Sequence, residues 1–170
     1  LPIWVLVFTS SYLILNILYS LHLKHIVILD VFIISAGFML RIFAGTVGLG
    51  IPPSVWLVLC GLMVTLFLGF AKRRAELLEL EKTTPGTTTR RVLDDYSPAI
   101  LDQFISVTAA CTVLSYGLYT VSPQTIAVQG TTDLIYTLPF VVYGIFRYVF
   151  LLHTRSKGND TARDIMTDRH

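Results

Sequence analysis

Five apolar stretches decide most of what this chain can become. They run near Pro2 to Tyr19, Ile26 to Val47, Val55 to Phe70, Ile100 to Val121 and Leu134 to Leu152. About 20 helical residues cross the ~30 Å hydrocarbon layer of a bilayer, and these stretches meet or approach that length. Inside hydrocarbon every backbone N–H and C=O must find its partner within the segment, which selects helices for such runs. The expected fold class is all-α, a polytopic transmembrane helical bundle with about five spans. The third stretch is the shortest, and AKRRAELLELE follows it in helical pattern, so that helix is expected to continue beyond the membrane. With 54% hydrophobic and 14% charged residues, the chain lies outside the range of soluble domains. A net charge of +2 argues against nucleic acid as a partner.

The charges are sorted by connection. All Lys and Arg except Arg41 and Arg147 fall in or beside alternate connections: Lys24, then the group from Lys72 to Arg91, then the tail from Arg155. The opposite connections, GLGIPPS and SPQTIAVQGTT, carry none. The positive-inside rule then gives an integral membrane protein with residue 1 outside and the basic connections in the cytosol. Residues 1–170 read as a single membrane domain, incomplete at both ends, with a cytosolic helix and loop at 71–96 and a polar tail at 153–170. Pro52, Pro53 and Ser54 precede the third span, while Ser97 and Pro98 form an N-cap followed by proline at the first helical position of the fourth. Cys60 and Cys111 sit in apolar runs without neighbours at ligand spacing and read as small buried hydrophobes.

Polar residues inside this pattern mark the places where chemistry can lie. On the second span Asp30, Gly37, Arg41, Ala44 and Gly48 share one helical stripe. The glycines read as an interhelical seam. Arg41 is a charge at membrane depth and needs another helix, water or an anionic ligand, because Asp30 lies about 16 Å away along the axis. In the basic connection, Lys72 and Glu76 are spaced i,i+4, with Arg73 beside them and Glu79 on the same face. That spacing suits a solvated helix end laced by salt bridges, and equally a pocket that takes up a phosphorylated substrate at the membrane surface. Arg90 and Arg91 could close over such a ligand, or attract anionic membrane lipid. The turn LYSLHLKHIVILDVF adds Tyr19 and Lys24 on the same side, with His22 and His25 read as interfacial.

Taken together, LYSLHLKHIVILDVF, GFMLRIFAG, GFAKRRAELLEL, RRVLDDYSPAILDQFISV and LPFVVYGIFRYVFLLH resemble the UbiA-type intramembrane prenyltransferase superfamily, in its polyprenyl-phosphate phosphoribosyltransferase branch. The resemblance implies a helical bundle around a cavity open to the cytosol and sideways to lipid. It implies phosphoribosyl diphosphate as donor, polyprenyl (decaprenyl) phosphate as acceptor, and Mg²⁺ at the diphosphate. The product would be an early intermediate toward lipid-linked arabinose donors for a bacterial envelope polysaccharide. By motif, Tyr19 and Lys24 take the tyrosine-to-lysine signature, and Lys72, Arg73 and Glu76 stand where prenyl-diphosphate members carry a second aspartate-rich motif. Tyr19, Lys24, Lys72 and Arg73 are thus the expected phosphate contacts, with Asp30, Arg41, Glu76 and Arg90 in support.

Two parts of the family pattern are missing. The first aspartate-rich motif, N-D-x-x-D-x-x-x-D, would precede Leu1, and a last span would follow Asp168. Asp30, Glu76, Glu79, Asp94 and Asp95 do not form the expected magnesium ligand set, so no metal ligand is assigned. Three other readings stand beside this one: a prenyltransferase with an aromatic acceptor, an inactive remnant, and a transporter or structural subunit. The first lacks an aspartate pair in GFAKRRAE, and a transporter calls for broken helices at the midplane, with Pro139 the one weak candidate.

Overall fold

The computed structural model describes residues 3–50, 52–83 and 96–154. Arg90, Arg91, Asp94, Asp95 and the tail from Arg155 lie outside them. The described residues are helical and contain no strand, and five helices are long and apolar enough to cross a membrane. The chain is an integral, polytopic membrane bundle.

Helix α1 (Ile3–Leu21) is predominantly apolar, has no buried residue and lies on α2 (Leu29–Leu49). A 3₁₀ turn at Leu23–His25 joins the two. Helix α2 ends at Gly50, whose φ of 69° suits a residue without Cβ and lets its N–H reach the Thr46 and Val47 carbonyls. The prolines that follow cannot continue a helix, and α3 (Val55–Thr83) starts just after Ser54. At 29 residues α3 is about 43 Å long, more than the hydrocarbon layer needs. Its AKRRAE segment therefore extends the span without a break, as the helical pattern predicts.

Helix α4 (Pro98–Val121) begins with the cap expected from sequence: the Ser97 hydroxyl accepts from the Ile100 N–H and Pro98 opens the helix. At the far end Ser122 terminates α4 and caps α5 (Pro123–Gln129), accepting from the Thr125 N–H at 3.2 Å. The short α5 lies in a segment read from sequence only as a connection. The fifth apolar stretch begins as a 3₁₀ turn, Asp133–Thr137, and becomes α6 at Leu138–Thr154. Pro139 falls in the first turn of α6, where a missing N–H breaks nothing, so it makes no midspan break of the kind a transporter would need.

The core gathers toward the basic end, where Phe67, Phe70 and Ala71 of α3 meet Leu101 and Ile105 of α4, Tyr148 and Leu152 of α6, and Val31 of α2. The Phe67 and Tyr148 rings pack edge to face with centroids 5.5 Å apart. Gly69 allows α2 to come this close: a Cβ there would stand 2.5 Å from Cγ1 of Val31. The stripe on α2 divides. Gly37 faces the Tyr12 ring and Gly48 faces Val5, which makes the seam with α1, while Asp30 turns to α3.

Candidate functional site

Asp30 stands in the first turn of α2, Arg73 late in α3, and Tyr96 just before the cap of α4, so the fold brings three distant parts of the sequence to the basic end. All three are buried, Asp30 to 1% exposure and Arg73 to 4%. Arg73 donates from Nε to Oδ2 of Asp30 at 2.7 Å and from Nη1 to Glu76. The Tyr96 hydroxyl donates to Oδ1 of Asp30 at 3.2 Å and accepts from the Ile28 N–H at 2.6 Å. Burial pushes the Tyr96 hydroxyl up to about 12, helped by the Asp30 carboxylate, so it keeps its proton near neutrality and can donate to Asp30. The spacing-based pairing of Lys72 with Glu76 is replaced by Arg73 with Glu76, at i,i+3.

The expected phosphate contacts divide by environment. Tyr19 is half-buried in α1. Lys24 is half-buried in the 3₁₀ turn, and Lys72 is exposed on α3. Among the described residues neither lysine has a carboxylate partner, so their charge is available to a ligand. Arg73, expected beside them as a contact, already gives two of its donor groups to carboxylates.

Arg41 does not join this group. It stands about 18 Å along α2 from Leu29 and finds its partner on α1, donating to the Tyr12 hydroxyl and stacking 4.5 Å over the Tyr12 ring. Between α1 and α2 a cavity of about 110 Å³ runs from Tyr19 past Asn16 to Arg41. At the far end a larger cavity, about 240 Å³, is lined by Pro53, Ser54, Tyr119 and Gln124 among others. None of its lining residues is charged, so it offers a phosphate nothing to pair with.

A second cluster, which the sequence did not reveal, ties α3, α4 and α6 together. Arg74 donates to Asp102 and, at 3.1 Å, to the Leu152 carbonyl, while Nε2 of His153 sits 3.1 Å from the same Asp102 oxygen. Arg74 differs from Arg73 by one helical position, about 100° of rotation, which is why adjacent arginines serve different neighbours. Among the described residues no three His, Cys, Asp or Glu side chains gather to hold a metal ion. Asp30 and Glu76, the nearest carboxylates to the lysines in sequence, both turn to Arg73. These residues do not fit a magnesium site.

No family model matches the chain. Curated relatives do, and four of them, from three species, bear one name. The chain is 37% identical over 108 residues to the decaprenyl-phosphate phosphoribosyltransferase of Corynebacterium glutamicum, covering 64% of this chain and 32% of that protein. It is 36% identical over 113 residues to that of Mycolicibacterium smegmatis, covering 66% and 35%. To that of Mycobacterium tuberculosis it is 31% identical over 137 residues, covering 81% and 44%. The chain thus spans less than half the length of the curated relatives it matches. By sequence it is a homologue of part of the decaprenyl-phosphate phosphoribosyltransferases, and its all-helical membrane bundle is consistent with the UbiA-type branch.

Proposed function

We propose that this protein transfers phosphoribose from 5-phosphoribosyl 1-diphosphate to a polyprenyl phosphate, decaprenyl phosphate above all, and releases diphosphate. The observation that carries this reading is the pair of lysines, Lys24 and Lys72, without carboxylate partners among the described residues, at the basic end of a homologue of enzymes so named. The charge sorting along the sequence supports a site on the cytoplasmic side of a bacterial cell membrane, with residue 1 outside.

In the proposed reaction an oxygen of the lipid phosphate attacks the anomeric carbon of the ribose as the bond from that carbon to the diphosphate breaks. A phosphate monoester is already largely ionised, so the step needs no strong general base. It needs positioning, and positive charge where the departing diphosphate gathers negative charge. Lys24 and Lys72 supply that charge, with the Tyr19 hydroxyl as a neutral donor. Arg73 holds Asp30 and Glu76 in place. Arg90 extends the proposal to the loop outside the described residues. A dependence on Mg²⁺ belongs to the proposal as well, tested by chelation, with none of the described residues assigned to the ion. The product suits an early step toward lipid-linked arabinose donors.

The test is transfer of labelled phosphoribose to decaprenyl phosphate by membranes that carry the full-length protein. Label should move into the lipid phase, and Lys24→Ala with Lys72→Ala should lower the rate at limiting donor by at least about a hundredfold, as expected for two lost charge-assisted contacts. Unchanged transfer by the double variant would refute the site, and absence of transfer by the unaltered protein would refute the reaction.

A further inference from the structure

We propose that Tyr96 is a positioning residue for the donor: its hydroxyl fixes the turn that presents Lys24 and ties that turn to Asp30 and Arg73. This rests on the reading of Lys24 as a phosphate contact.

The turn needs a restraint from elsewhere. After His25 the chain leaves the 3₁₀ turn with Ile26 extended and then passes through Ile28 at φ 69° and ψ −46° before α2 begins. A positive φ is unusual for a β-branched side chain, and such a backbone persists only where its surroundings hold it. Ile28 is the one non-glycine residue with positive φ among the described residues. It is also the residue whose N–H reaches Tyr96, 68 positions later. Among the described residues every other backbone hydrogen bond of the turn stays within the turn or its flanking helices, so Tyr96 makes its hydrogen-bonded link to the start of α4.

Tyr96 is built for that task. Its ring packs in the core with Phe70 and Leu101, so the hydroxyl has a fixed position. It accepts from the turn on one side and donates to Asp30 on the other, and Asp30 in turn holds Arg73. A phenylalanine would keep the ring packing and lose only this relay. The Ile28 N–H would then lack its partner, and the four-residue path from Lys24 to Ile28 would be free to relax.

The full-length protein in lipid nanodiscs tests this with Tyr96→Phe. The expected result is an increase of about tenfold in KM for phosphoribosyl diphosphate, the loss worth one hydrogen bond, with kcat and KM for polyprenyl phosphate changed less than twofold. Hydrogen exchange at the Ile28 amide should speed up in the same variant. An unchanged donor KM, or an equal change in both KM values and kcat, overturns the assignment, and so does unchanged exchange at Ile28. If the unaltered protein transfers no phosphoribose, the reaction proposed above falls, and binding of inorganic diphosphate decides the role of Tyr96 alone. Binding about tenfold weaker in Tyr96→Phe sustains it, and equal binding overturns it.

Discussion

Replacing Asp30 by asparagine should destabilise the bundle by about 3 kcal/mol, and the size follows from what the carboxylate holds. It accepts from Arg73 at 2.7 Å and from Tyr96 at 3.2 Å while 1% exposed. The amide keeps the shape and can still accept from Tyr96, but it cannot balance the guanidinium. Breaking a buried ion pair from one side costs about 3–5 kcal/mol, because the remaining charge stays buried. Glu76, whose side chain is 23% exposed, still partners Arg73, which places the cost at the lower end. Arg73→Met should cost a similar amount by stranding Asp30. The double variant buries neither charge, and should recover about 2–3 kcal/mol relative to the sum of the singles. Unfolding of each protein in mixed micelles with increasing SDS, followed by circular dichroism, measures all corners of the cycle. Single variants that cost less than about 1 kcal/mol, or a double variant equal to the sum, would refute a buried pair at the centre of the site. Under the proposed function, transfer activity should stay low in the double variant even as stability returns, since the ion pair that ties α2 to α3 is gone.

Other expectations follow from particular contacts. Gly69→Ala should destabilise the α2–α3 contact by about 1–3 kcal/mol in the same unfolding assay, and Val31→Ala in the same chain should return part of that loss; equal stability of Gly69→Ala and the unaltered protein would contradict the close approach. The Tyr96 hydroxyl stands at about 12 in the fold against an ordinary 10.0, so the native state keeps a proton that the unfolded state loses. Its contribution to stability should be complete below about pH 10 and fade between pH 10 and about 12, and Tyr96→Phe should flatten that part of the curve. Ser97→Ala should cost about 1 kcal/mol by uncapping α4, read as a lower SDS midpoint; an unmoved midpoint would deny the cap its role.

The helices were legible in the sequence because their signal is length and apolarity, which hydrocarbon enforces without help from neighbours. The Ser97–Pro98 start of α4 and the projection of α3 were legible for a related reason, since caps and helical pattern are local. The candidate site was legible only as residue types. Tyr19, Lys24, Lys72 and Arg73 could be picked out, but the partners of Arg73 depend on how α2 lies against α3, which periodicity does not specify. Asp30 and Arg73 are 43 positions apart, and Arg41 finds Tyr12 across a gap of 29. Ile28 was least legible. A β-branched residue gives no local reason for a positive φ, and the hydroxyl that holds it comes from the start of another helix.

The unbroken length of α3 gives bilayer thickness a part in the proposed chemistry. Arg73 lies about 27 Å along the axis from Val55, close to where a hydrocarbon layer of ~30 Å ends. With no hinge between the two, a membrane made thicker or thinner by longer or shorter acyl chains must tilt the whole helix or move Lys72 and Arg73 across that boundary. Under the proposed function, lipid composition then acts on the candidate site as a mechanical variable, and activity should show an optimum in acyl length.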